Sequence, residues 1–306
     1  MCLAFTCIIL LTTINYFLYH TDVPYLIDLL LEHDTEAAIP SIPQSDPPAF
    51  NPSAPQIIHQ TYASEQIPER WVEPRQQCLT LHPNYTHYLW TDDLALDFFK
   101  QNYPNFLPTY NAYKYSIQRA DAIRYYVVRH YGGIYIDLDL GCARDLAPLS
   151  FYGAWVHRTT PTGISNDAIG AAIPQHPFWV RVTEQLEPYA RNWILPYITV
   201  MYGTGPLFLS AIWRRWVREG HDVGIGKLSL MEEVEFVSAE TRWFNTFGGS
   251  SWHSWDVHFL AIIARHWIAV LLGISLAVLG LRYWSCVIRK RPRRPIIEED
   301  LLGHEA

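Results

Sequence analysis

The chain has 306 residues, is 49% hydrophobic and 17% charged, and carries a formal net charge of −7, which excludes a disordered chain and leaves room for one large domain with membrane segments. Residues 1–281 hold 17 cations against 26 acids, an acidic body that speaks against nucleic acid as a partner. None of the five cysteines forms a CxxC pair, so neither a zinc knuckle nor a redox motif is indicated, and if the middle of the chain is lumenal, Cys78 and Cys142 are able to pair, on a weak signal from two cysteines distant in sequence.

The amino end, "CLAFTCIILLTTINYFLY", lacks a basic flank and a small-residue cleavage site, and is predicted to be an uncleaved membrane anchor over residues 1–20. The proline-rich, polar segment 21–55, ending in "EAAIPSIPQSDPPAFNPSAP", reads as a stem. A folded body is expected from residue 56 to 258, and its sequon Asn84-Tyr85-Thr86 is compatible with a lumenal location. Behind it, "FLAIIARHWIAVLLGISLAVLGLRYW" (259–284) is long enough to span a bilayer if Arg265 reaches an interface. Tyr283, Trp284 and the basic tail 285–306 with "RKRPRR" supply an aromatic belt and a positive-inside flank, which puts both termini in the cytosol.

Within the body, "QIIHQTY" and "THYLWTD" read as short buried strands and "DDLALDFFKQNY" as a helix. Ile117, Ala120, Ile123, Val127 and Tyr131 recur at helical spacing, and Gly132 ends that helix immediately before a strand at Ile134–Ile136. Strand, helix, strand order argues for an α/β domain with a mostly parallel central sheet.

"YGGIYIDLDLGC" then places Asp137 and Asp139 where that strand leaves the sheet. On an extended segment, residues two apart point to one side, and open α/β sheets hold ligands at the carboxyl ends of their strands. Two carboxylates there repel unless a cation lies between them and an anionic ligand, and hard divalent ions take carboxylate and phosphate oxygens. Asp121 and Arg124 lie three apart on the preceding helix and share a face.

The block "QRADAIRYYVVRHYGGIYIDLDLG" resembles DXD-containing glycosyltransferases of family 32. Together with "IIHQTY", "LWTDD", "PTGISNDAIGA", "NWILPYITVMYGTGPLFLSAIW" and "GGSSWH", it is similar to the fungal inositol phosphoceramide mannosyltransferases, the catalytic subunits of mannosyl-inositol-phosphoceramide synthase. The resemblance implies a GT-A-like fold, GDP-mannose as donor, Mn²⁺ or Mg²⁺ as cofactor, and retention of configuration. It implies inositol phosphoceramide as acceptor, a separate membrane regulatory subunit, and a Golgi membrane location with the catalytic domain lumenal.

By matching position, the resemblance makes Asp137 and Asp139 the metal and donor-phosphate residues, with His253 either completing the metal shell or covering the diphosphate. Asp121 and Arg124 become donor sugar and ribose contacts, His59 and Gln60 nucleotide contacts, and Asn166 and Asp167, in a loop after Pro161 and Gly163, residues at the reacting sugar. Three other readings stay open: a mannosyltransferase acting on protein glycans, a haloacid-dehalogenase-like phosphatase, and a non-catalytic membrane partner. The phosphatase reading has Gly141 in its Thr/Val place.

Overall fold

In the computed structural model, which describes residues 54–159, 163–193, 195–231 and 242–249 with Asp256, Arg265, His266, 277–278 and 280–285, β1 is Ile57–Thr61. It pairs in parallel with β2 (Thr86–Trp90) on one side and β3 (Gly133–Ile136) on the other. Beyond β3 lie β6 (Ile164–Ala171), β5 (Ala154–Arg158) and β7 (Leu228–Met231), giving the order β2-β1-β3-β6-β5-β7. Only β6 opposes the common direction of this sheet. The mostly parallel α/β architecture expected from the strand and helix order is therefore present.

A second, two-stranded ladder joins β4 (Leu140–Cys142) antiparallel to β8 (Phe244–Thr246). Helix α1 (Glu69–Leu81) packs beside β4, and the Cys78–Cys142 disulfide links them across a sequence separation of 64, with the Cα atoms 4.7 Å apart.

Local chemistry sets the helix boundaries. Helix α2 (Asp92–Asn102) starts at Thr91, whose hydroxyl accepts from Leu94 N at 3.2 Å, and Asp92 and Asp93 face the positive end of its dipole. Short α3 (Leu107–Ala112) leads into α4 (Ser116–Tyr131), which stops at Gly132 with φ +69°. Gly133 follows at φ +82°, and a β-carbon there would stand 2.6 Å from Ile57 O, so the glycine pair lets β3 start against β1 with no linker.

Helical spacing predicts one buried face for α4, but every residue from Asp121 to Val128 is buried. The helix lies against β1, β3 and β6 and is also packed by α5 (Pro177–Tyr189) and α6 (Pro196–Gly203), so its second side is covered as well. With α7 (Pro206–Arg218), these elements enclose one apolar cluster that includes Tyr125, Trp179, Phe208 and Trp213. A second cluster holds Ile58, Ile136, Trp155 and Phe244 beside the disulfide. Alternation along β3 explains the division, since Tyr135 enters the first cluster while Ile134 and Ile136 enter the second.

Two compact units divide the chain, Met1–Trp252 and His253–Ala306. In the second, residues 280–285 belong to a helix on which Leu281, Tyr283 and Trp284 are exposed. No helix among the described residues is long and apolar enough to cross a membrane. The expected anchor 1–20, the stem up to residue 53 and most of the expected span 259–284 lie outside the described residues.

Candidate active site

The ends of β1, β2 and β3 open on one cleft of about 360 Å³. Thr61, Tyr62 and Ala63 line it behind β1, Asp92 behind β2, and Asp137, Leu138 and Asp139 behind β3. Trp71 closes one wall, while Ser116, Ile117, Ala120 and Arg124 of α4 form another.

Asp137 and Asp139 do reach the same cleft, though not by strand alternation. β3 ends at Ile136, and the chain turns there, with Leu140 N donating to Asp137 O at 3.1 Å. Backbone bonds hold this turn on both sides: Asp137 N donates to Asp167 O at 2.8 Å and Phe247 N to Asp139 O at 2.9 Å. Gly249 lies so close to Asp139 that a β-carbon would overlap Oδ2. His253, four residues further on, lies outside the described residues.

Arg124 organises the carboxylates from beneath. Its guanidinium sits 3.1 Å from Asp121 Oδ1 and 3.3 Å from Asp137 Oδ1, donates to Asn166 O at 2.9 Å, and stacks 4.9 Å above the Tyr135 ring. Tyr135 donates its hydroxyl to Asp137 Oδ1 at 2.7 Å. Burial pushes Asp137 up to about 7; Asp139 and Asp167 add to the rise, while Arg124 and the Tyr135 bond oppose it. Asp139 is raised too, by burial first and then by Asp167. These carboxylates thus stay short of positive charge even beside Arg124, a donor set that fits a hard divalent cation. Among the described residues no three His, Cys, Asp or Glu side chains converge as a complete metal site, and the two aspartates are the described carboxylates at the cleft that would take the ion.

Asp121 carries its charge inward. Its carboxylate accepts from Asn166 Nδ2 at 3.0 Å and Thr204 Oγ1 at 2.8 Å besides pairing with Arg124, and the residue is 3% exposed. Tyr125 completes this network by donating to Thr204 O at 2.8 Å and accepting from Asn166 Nδ2 at 2.9 Å. The Asp121–Arg124 pair is consequently a buried scaffold for the cleft floor rather than a surface ion pair, and only Arg124 of the two lines the cleft.

Asn166 and Asp167 were expected in a loop; they lie within β6 and therefore face opposite sides of the sheet. Asn166 turns into the Asp121 network, whereas Asp167 retains 31% side-chain exposure and meets Nε2 of His157 on β5. Against the upward pull of burial, His157, Ser165 and Arg124 hold the Asp167 carboxyl well below the usual range. Asp167 remains electrostatically coupled to Asp137 and Asp139.

Neither of the two expected nucleotide contacts on β1 lines the cleft. His59 is fully buried, with Nε2 donating to Gly132 O at 3.0 Å and Nδ1 accepting from Trp90 Nε1 at 3.1 Å; burial lowers it to about 4. Gln60 points to the other face of the sheet, where Oε1 accepts from Arg75 of α1. The cleft instead receives the next residues, Thr61 to Ala63. Sequence reasoning also passed over Tyr135, His157, Tyr62 and Trp71. The one signal for Tyr135 was its position two before Asp137, while His157 depends on a strand pairing that local periodicity does not reveal.

A mostly parallel sheet with two turn-borne aspartates at a strand end, clamped by a buried arginine, defines a DXD-type glycosyltransferase. The family described as "Glycosyltransferase sugar-binding region containing DXD motif" matches residues 68–157. Mannosyl phosphorylinositol ceramide synthase CSH1 of Saccharomyces cerevisiae is 42% identical over 79% of this chain and 66% of its own length. SUR1 of the same yeast is 44% identical over 78% and 60%, and inositol phosphoceramide mannosyltransferase 2 of Schizosaccharomyces pombe is 38% identical over 82% and 77%. The chain belongs to the inositol phosphoceramide mannosyltransferase family, and it spans roughly three fifths to two thirds of the length of the two Saccharomyces relatives.

Proposed function

We propose that this chain transfers mannose from GDP-mannose to inositol phosphoceramide with retention of configuration, on a GT-A-like domain flanked by membrane segments in the Golgi, with the domain lumenal. The observation that carries the reading is the convergence of Asp137, Asp139 and Arg124 on one cleft, with Asp167 electrostatically coupled to the two aspartates, in a chain 42% identical to a mannosyl phosphorylinositol ceramide synthase. The Cys78–Cys142 disulfide supports an oxidising compartment for the body. A separate membrane regulatory subunit belongs to the same reading.

Asp137 and Asp139 would hold Mn²⁺ or Mg²⁺, which when bound neutralises the charge of a departing diphosphate. Arg124 keeps Asp137 oriented through its ion pair, and Tyr135 fixes one oxygen of that carboxylate. Asp167, kept ionised beside His157 and coupled to Asp137 and Asp139, would add the negative potential that stabilises positive charge developing at the sugar carbon. In the proposed front-face reaction the bond from the sugar carbon to the diphosphate oxygen breaks, the acceptor oxygen bonds to the same face, and the acceptor proton passes to the diphosphate.

The test incubates membranes containing the protein with labelled GDP-mannose and extracts the lipids. Labelled mannosyl inositol phosphoceramide is expected, and Asp137→Asn or Asp139→Asn should reduce it by about a hundredfold or more, as loss of a group stabilising developing charge does. Labelled protein glycans with unchanged sphingolipids would replace the lipid acceptor by a protein glycan. No turnover by well-folded protein would leave a non-catalytic membrane partner.

A further inference from the structure

The cleft extends well beyond the paired aspartates. In the order β2-β1-β3, the carboxyl ends of these strands lie in a row, so Asp92 behind β2 and Asp137 behind β3 start from strand ends two spacings apart, about 10 Å. That is comparable to the distance from a nucleobase to the second phosphate of its diphosphate. At the Asp92 end, Tyr62 and Trp71 form an aromatic wall, ring centroids 5.5 Å apart and nearly perpendicular, suited to the face of a base. The Trp71 indole N–H is buried and has no acceptor among the described residues. Asp92 is exposed into the cleft, and no donor among the described residues engages its carboxylate.

We propose that Asp92 selects guanine at the nucleoside end of the donor site, an inference that rests on the GDP-mannose reading above. Guanine presents N1–H and the 2-amino group side by side, two donors that match the two oxygens of one carboxylate. Uracil and adenine each offer an acceptor along the corresponding edge, which a carboxylate repels. Asp92 also opens α2, where any acid is favourable, but Asp93 occupies the same first turn and does not line the cleft. Helix stabilisation and base selection therefore fall on separable residues.

Equilibrium binding of GDP, UDP and xanthosine diphosphate to the full chain with Mn²⁺, for the parent, Asp92→Asn and Asp93→Asn, tests this. The parent should favour GDP. Asp92→Asn should bind GDP about ten- to hundredfold more weakly, the loss expected for hydrogen bonds to a charged group. It should gain xanthosine diphosphate, because the amide donates to the xanthine 2-oxo group while accepting from N1–H. Asp93→Asn should keep the parental order. An Asp92→Asn protein that binds GDP as the parent does, or that weakens all three nucleotides equally, overturns the role of Asp92 alone. A parent that prefers UDP overturns the GDP-mannose reading and this inference with it.

Discussion

Asp137 shows how one residue carries conflicting demands. Its carboxyl is raised from an ordinary 3.8 to about 7, burial leading, so the folded metal-free protein favours the protonated form. The stability from that protonation is complete below about 3.8 and is lost as pH rises through about 7. A cation needs the ionised form, so its affinity should increase across the same upper range. Asp137→Asn should therefore raise the metal-free unfolding free energy at pH 8, by on the order of 2 kcal/mol, about half the full linkage value because the side chain still meets water. At pH 5, where only part of the linkage has developed, the gain should be less than half as large, and at pH 8 the substitution should abolish tight Mn²⁺ binding. Chemical denaturation at the two pH values checks the sign; an equal effect at both would mean that Asp137 is not raised. The DXD spacing made Asp137 and Asp139 legible in the sequence, as the resemblance did for Arg124. The placement of His59 was not legible, because strand alternation, which sets it against Tyr131 and Trp90, depends on which face of the sheet α4 covers.

At the scale of elements, α4 and β3 act as one unit. The helix supplies Asp121, Arg124 and Tyr125, the strand supplies Tyr135 and leads to Asp137, and the glycine pair joins them without a spacer. This junction was readable, since helical spacing, a terminating Gly132 and an apolar strand follow each other directly. Helix α1 was not read from the sequence, because Pro74 lies inside it and interrupts the usual helical signal. Asn166 and Asp167 were misread as a loop because Pro161 and Gly163 precede them, yet the ladder to β3 continues through Ala168–Ala171. The glycine pair gives a sharp expectation. Gly133→Ala would place a methyl group 2.6 Å from Ile57 O in a backbone region costly for any L side chain, so it should destabilise by about 2 kcal/mol or more. Gly220→Ala, also at positive φ but with no atom within 4 Å of its β-carbon, isolates the backbone part of that cost. Guanidinium unfolding of both variants measures the difference, and equal losses would mean that β1 moves freely away from β3.

For the molecule as a whole, topology places the cleft and the disulfide secures its far side. The order β2-β1-β3 sets three carboxyl ends side by side, and the parallel half of this arrangement followed from the strand, helix, strand reading. The reversal of β6 did not, because pairing partners distant in sequence leave no local period. Cys78–Cys142 joins α1, whose Trp71 lines the cleft, to β4, which begins one residue after Asp139 and pairs with the β8 segment leading to Gly249. Asn245 adds a parallel tie by donating to Gln77 of α1 at 2.9 Å. Closing a loop of 64 residues removes unfolded-state entropy worth about 4 kcal/mol. Replacing both cysteines by serine should lower the unfolding free energy by roughly that amount, and dithiothreitol should bring the parent to the same midpoint while leaving the double variant unaffected. Because β4 and β8 bracket Asp139, Mn²⁺ affinity should fall along with stability in the double variant. An unchanged unfolding midpoint in reductant would show that the packing of α1 on β4 and the Gln77–Asn245 bond hold this edge without the covalent link.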